Sequence, residues 1–307
     1  MKRRIPILAC GLVASAALTA CSTFDTSRVA TVNGEQIDKA VIEMLNAPGE
    51  GDAPPEGNVK ALNGPSLRNS VGNMVQALLA EQIAAQFGID LTEARKGSLE
   101  SLQQGLSGER LRRWNELSEE ERDLVIDFRA APLAMINTPG PAPVDLQQRY
   151  ANPERTGYFC IRFIAFESAE LADIAFAELK KGTDFGTLAN SLEPQSNGGI
   201  VAGPDGGECV NIENFRPPTT PIELAEALFN GVPGEVIAPV RVSSDNGVAW
   251  FILLHRPWEE IGSILAQAVE ASPSYAEYQA QLSVASVRVA NRYGKWDPVS
   301  ANVVTSK

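Results

Sequence analysis

Few residues in this chain could do covalent chemistry. Among 307 residues there are four cysteines (Cys10, Cys21, Cys160 and Cys209) and one histidine, His255. Nucleophilic hydrolysis needs a Ser or Cys with a neighbouring base and a group to orient that base. No nucleophile elbow is present, nor a Cys-x-x-Cys pair for thiol exchange, nor zinc-ligand spacing. Residues 197–207 are glycine-rich, but they follow a helical stretch rather than a strand, which argues against a phosphate cradle. The expectation is therefore no metal and no cofactor. What remains is thiol chemistry, which takes the form of attachment or oxidation.

The first thiol to consider is Cys21. It follows a basic head (Lys2, Arg3, Arg4), an apolar run over residues 5–18, and Leu18-Thr19-Ala20. Positive head, apolar middle and small residues before the cut make a secretory signal. The run of about 14 residues is too short to span a bilayer, which takes ~20. Leu-Thr-Ala followed by Cys resembles the lipobox of bacterial lipoproteins. That resemblance implies cleavage after residue 20 and a lipid on Cys21. The expected location is extracytoplasmic, anchored to the cell membrane or the outer membrane. Cys10 leaves with the leader, so Cys160 and Cys209 are the thiols left in an oxidising space. They are expected to form a disulfide. Closing a loop of about 50 residues would stabilise the fold by roughly 4 kcal/mol in the chain-entropy model.

Charge narrows the partners. The net charge is −12, and the leader holds three bases and no acid, so the remainder is near −15. Nucleic acid and anionic membrane surfaces attract basic patches, so neither is expected as a direct partner. The 287 residues after the leader suffice for two domains.

The elements follow from periodicity and punctuation. Residues 29–37 read as a strand, an Asn33-Gly34 turn and a second extended piece, with Asp38 capping a helix over 39–46. Residues 48–65 form a Gly/Pro-rich loop. Val71, Met74, Val75, Leu78, Leu79, Ile83 and Phe87 mark a long helix that ends at Gly88. A charged helix follows to about 105. Ser118-Glu119-Glu120-Glu121 caps another, running to 131. A short helix over 144–150 leads to a boundary near Asn152-Pro153. The texture then changes to a strand (158–166), helices over 169–181, 185–191 and 221–229, a strand over 236–242, the Asp245-Asn246-Gly247 turn, and a returning strand over 248–254. This order defines an α+β unit on an antiparallel sheet. A helix over 275–284 and one alternating strand over 287–294 end the chain.

With those elements in place, the sequence resembles the SurA/PrsA-type extracytoplasmic chaperones, whose core is a parvulin-type (PpiC) peptidyl-prolyl isomerase domain. The N-terminal segment from Val29 carries one part of the match. The other lies in Leu179-Lys180-Lys181-Gly182-Thr183-Asp184-Phe185, Asn197-Gly198-Gly199, Ala225-Glu226-Ala227-Leu228-Phe229, Pro233-Gly234-Glu235-Val236 and Pro239-Val240. The resemblance implies a leader (1–20), a tether (21–28), a helical chaperone domain (29–152), a parvulin-like domain (153–257), and a C-terminal helix and strand (258–307) packing back on the N-terminal domain. Residues 287–290 are expected to pair with 29–32.

The same resemblance exposes a departure. Active parvulins carry histidines on the first and last strands of the domain. Here the first position falls on Phe163 and the last on Trp250 or Phe251. His255 lies past the last strand and reads as a surface residue. Leu224 takes the place of the family's proline-pocket phenylalanine. With Phe229 closing its helix, the expected peptide-binding cleft is Phe163, Leu224, Phe229, Trp250 and Phe251, with no assigned catalytic residue. The implied protein is a lipid-anchored folding factor for unfolded or nascent secreted polypeptides, with weak or absent isomerase activity. An active isomerase and an assembly lipoprotein are the alternatives.

Overall fold

Alternation from Arg28 gives β1 (Arg28–Val32), whose inward residues Val29, Ala30 and Val32 are fully buried. Asn33 and Gly34 both take positive φ, the mark of a tight hairpin turn, and lead into β2 (Glu35–Asp38). The computed structural model describes residues 27–48, 64–136, 138–192, 209–244 and 247–306. Cys21 and its leader, residues 49–63 of the expected Gly/Pro-rich loop, the 197–207 stretch and Asp245-Asn246 lie outside the described residues.

The first core is helical. The helices α1 (Lys39–Leu45), α2 (Gly64–Phe87), α3 (Thr92–Gln103), α4 (Gly108–Glu116) and α5 (Glu119–Met135) surround it. Helix α2 is its axis, burying Val71, Met74, Val75, Leu78, Leu79 and Ile83 along with Ala77, Ala80 and Ala84. Helix α5 begins in a capping box: Ser118 Oγ accepts from Glu121 N–H at 3.2 Å, and Glu121 Oε2 accepts from Ser118 N–H at 2.7 Å. Helix α4, whose only buried residue is Trp114, is not among the elements expected from the sequence.

Both ends of the described chain complete this core. Helix α11 (Pro273–Val284) contributes Tyr278 and Leu282 to it. Strand β8 (Val287–Val289) pairs antiparallel with β1, Ala30 opposite Val289 and Val32 opposite Val287. The expected strand over 287–294 stops at Val289, because Tyr293 turns inward to the core. The chain then makes a separate hairpin, β9 (Lys295–Asp297) and β10 (Asn302–Val304), with Val303 buried beside α2.

The second region begins after α6 (Leu146–Tyr150). The expected strand over 158–166 is two strands: β3 (Tyr158–Phe159) pairs with β5 (Val210–Asn211), while β4 (Ile161–Phe166) joins another sheet. The partner changes at Cys160, which is bonded to Cys209 and whose carbonyl accepts from Arg256 N–H at 2.9 Å. The main sheet is antiparallel with order β4-β7-β6, where β6 is Val236–Ser244 and β7 is Gly247–His255. Helices α7 (Ala169–Lys180) and α8 (Phe185–Leu192) cover one face of it, and α9 (Ile222–Phe229) covers the other.

Helix α10 (Trp258–Ala271) is not among the elements expected from the sequence. It buries Ile261, Leu265 and Val269 against Tyr150 and the disulfide, filling the joint between the two regions. All paired strands among the described residues are antiparallel, and the fold is α+β. Among those residues no helix is long and apolar enough to cross a membrane.

Candidate functional site

Side chains alternate across a strand, so register decides which candidates meet. Between β4 and β7, Phe163 pairs with Leu253, Ala165 with Phe251 and Phe166 with Trp250. Phe163, Phe251 and Leu253 therefore share the face beneath α9, where Leu224, Leu228 and Phe229 descend onto them. Trp250 points the other way, into the core under α7 and α8 with Phe166 and Ile252. Of the five expected cleft residues, Phe163, Leu224, Phe229 and Phe251 are brought together. Trp250 is a correction: adjacent strand positions cannot face the same side, and Phe251 holds the site-facing position.

The shared face has a closed floor and an open rim. Phe159, Ile161, Ile212, Leu228 and Leu253 are buried, while Phe163, Leu224, Phe251 and Val240 are only partly buried. The rings of Phe163 and Phe251 stand 6.1 Å apart at 56°. Phe229 is held more tightly. Its ring meets Phe159 edge-on at 5.2 Å, and the Arg216 guanidinium lies 5.0 Å from its centroid. These four partly buried apolar side chains, carried by the sheet and α9, can desolvate an apolar segment laid over them.

His255 is the second correction. It is the last residue of β7, opposite Ile161, and is fully buried rather than at the surface. Its ring packs edge-on to Phe159 at 5.1 Å, and Nε2 lies 2.8 Å from the Leu228 carbonyl. A carbonyl only accepts, so Nε2 carries the proton. Gly231 makes this possible, since a Cβ there would sit 2.5 Å from the His255 ring. Burial pushes the imidazole down to about 4, which keeps it neutral at physiological pH. The strand alternation that places Phe251 and Leu253 inward could have placed His255 inward too.

This face thus has no titrating group, nucleophile or activated base among its described residues. Its described residues can bind and desolvate an apolar segment. Among the described residues no group of three or more His, Cys, Asp or Glu could hold a metal ion.

No family model matches the chain, and no curated protein matches it. Solved structures similar to it are PrsA proteins. The peptidylprolyl isomerase PrsA from Bacillus anthracis is 17% identical over 66% of this chain and 92% of its own, with a TM-score of 0.23. The foldase protein PrsA from Lactococcus lactis is 12% identical over 83% of this chain and 86% of its own, with a TM-score of 0.22. The PrsA from Bacillus cereus is 14% identical over 77% and 90%, with a TM-score of 0.24. Likeness at such TM-scores fixes no activity for this chain, so its function is read from its own residues.

Proposed function

We propose that this protein is an extracytoplasmic folding factor that holds apolar, aromatic segments of unfolded polypeptides, and that it does so without acid–base catalysis. The observation that carries this reading is the set of partly buried side chains Phe163, Leu224 and Phe251 on one face, with the sole imidazole buried and neutral beneath them. The clients are unfolded or nascent secreted chains. Support for the compartment is the leader ending at Cys21, whose lipid would tether the protein to the membrane, together with the Cys160–Cys209 disulfide.

Binding of this kind is tested by light scattering of a reduced, aggregating client. The full chain is expected to slow aggregation, and Phe163→Ser with Phe251→Ser to weaken that effect. Each Phe contributes roughly 1.5–3 kcal/mol when fully buried, so the double variant should lose more than tenfold in apparent affinity. A proline-peptide isomerisation assay is expected to give the buffer rate. Unchanged suppression by the double variant overturns the site, and isomerisation well above the buffer rate overturns the claim of binding without catalysis.

A further inference from the structure

The helical core contains a cavity of about 370 Å³ that is chemically unlike the aromatic face, and its lining comes chiefly from α2, α3 and α5. Its floor is apolar, formed by Met74, Leu102, Val125 and Phe128. Its walls carry Asn73, Ser98, Ser101, Arg110 and Arg129, and among the described residues no Asp or Glu lines it. A larger cavity of about 600 Å³, bounded by β2, α2 and α5, is lined by Glu35, Asp38, Glu81, Glu120, Glu121 and Asp123. Among the described residues, the same core therefore offers one strongly acidic recess and one whose charged lining is Arg110 and Arg129.

Helical spacing makes the second recess a matched set. Ser98 and Ser101 share a face of α3 with Leu102, Asn73 sits beside Met74 on α2, and Arg129 lies one turn beyond Val125 on α5. Each helix thus presents a polar group directly beside an apolar one. Arg110 is braced, its Nε donating to the Ala47 carbonyl at 3.1 Å. Asn73, Ser98, Ser101 and Arg129 make no hydrogen bond or ion pair among the described residues, so their donors remain available.

We propose that this cavity binds the carboxy-terminal end of a polypeptide whose last side chain is apolar. Arg129 receives the α-carboxylate, the last side chain rests on Met74 and Phe128, and Asn73, Ser98 and Ser101 pair with the final peptide group. Only at a chain end do a carboxylate and an apolar side chain leave the same carbon atom, which is what a cation set beside an apolar floor accommodates. An internal Asp or Glu carries its charge at the side-chain tip and would drive it toward the floor. A fatty acid would satisfy the cation but leave the amide and hydroxyl groups of the wall unpaired. The site lies on a different core from the aromatic face and does not depend on it.

The test is fluorescence anisotropy with an amino-terminally labelled hexapeptide ending in Phe, compared as free acid and as carboxamide, on the full chain. The acid is expected to bind at least tenfold more tightly than the amide, the order expected from one charge-assisted hydrogen bond. Arg129→Gln is expected to abolish that preference. Arg129 is exposed and unpartnered among the described residues, so the variant should melt with the wild type. Asn73→Ala with Ser98→Ala should weaken both peptides severalfold. Equal binding of acid and amide overturns the proposal, as does a preference that survives Arg129→Gln. Dodecanoate binding that needs Arg129 but is indifferent to Asn73 and Ser98, with no peptide binding, also overturns it, in favour of an amphiphile site. Loss of aggregation suppression through Phe163 and Phe251 leaves each of these readouts in place, so the two sites fail separately.

Discussion

Asp127 shows how much one buried charge can govern. It is fully buried in α5, and Arg95 reaches it from α3 with both Nε and Nη2, at 2.8 and 2.5 Å. Removing one partner of a buried pair leaves an uncompensated charge and costs about 3–5 kcal/mol. Arg95 keeps 34% of its side chain exposed, so water relieves part of the loss and the low end, about 3 kcal/mol, is expected for Arg95→Ala. Urea melts check this, and Arg95→Met with Asp127→Leu should recover most of the stability. His255 gives a second prediction. Its folded pKa is about 4 and its unfolded value 6.5, so between those values the unfolded chain binds more protons. Its contribution is therefore complete above about pH 6.5 and shrinks as pH falls toward 4, by up to about 3 kcal/mol. His255→Gln should flatten the stability profile across that window relative to wild type. Parallel profiles would mean that the ring is not held neutral.

At the scale of elements, what could be read from the sequence depended on how much periodicity a segment carried. Helix α2 could be read because its apolar positions repeat over 24 residues. The β6–β7 hairpin could be read because two alternating runs flank an Asn-Gly turn. Helix α4 could not, since it is nine residues of mostly Arg and Glu with one buried Trp. The hairpin of β9 and β10 has three residues per strand, too few to show a period. Helix α10 is different: Ile261, Leu265 and Val269 repeat every four residues, so the sequence does carry its signal. Trp250 and Phe251 show the same limit at the site, because strand type was legible while register, which chooses between neighbours, depends on the partner strand. The disulfide followed from counting cysteines and compartment, and it now explains why β3 and β4 part at Cys160. Both sulfurs are buried in the joint among Tyr150, Ile261 and Leu265. Cys160→Ala with Cys209→Ala is expected to destabilise by about 2–4 kcal/mol, read as a lowered melting temperature under non-reducing conditions.

Across the whole molecule, the question is whether the two cores act together. The joint answers through Arg216, which follows Phe215 in the second region yet spends its hydrogen bonds on the first. Its Nη1 donates to the carbonyls of Pro298 and Val299 at 2.6 and 3.0 Å, in the turn between β9 and β10. Its Nη2 donates to the Gln279 carbonyl and Ser283 Oγ of α11 at 3.2 and 2.9 Å. Burial pulls the guanidinium down to about 10, which still leaves it charged at neutral pH, so the tie is a cation held by neutral acceptors. The same guanidinium lies over Phe229, so the aromatic face and the C-terminal hairpin share one side chain. Each carbonyl stranded by its loss costs about 1–3 kcal/mol. Arg216→Ala should therefore accelerate amide exchange by roughly 10- to 100-fold across β9, β10 and α11. The sheet β4-β7-β6 should keep its protection. Lysine at this position keeps the charge but cannot span four acceptors in fork geometry, so Arg216→Lys should fall between the two. Uniform acceleration over both cores would instead make Arg216 a general stabiliser, and exchange identical to wild type would leave the aromatic face uncoupled from the hairpin.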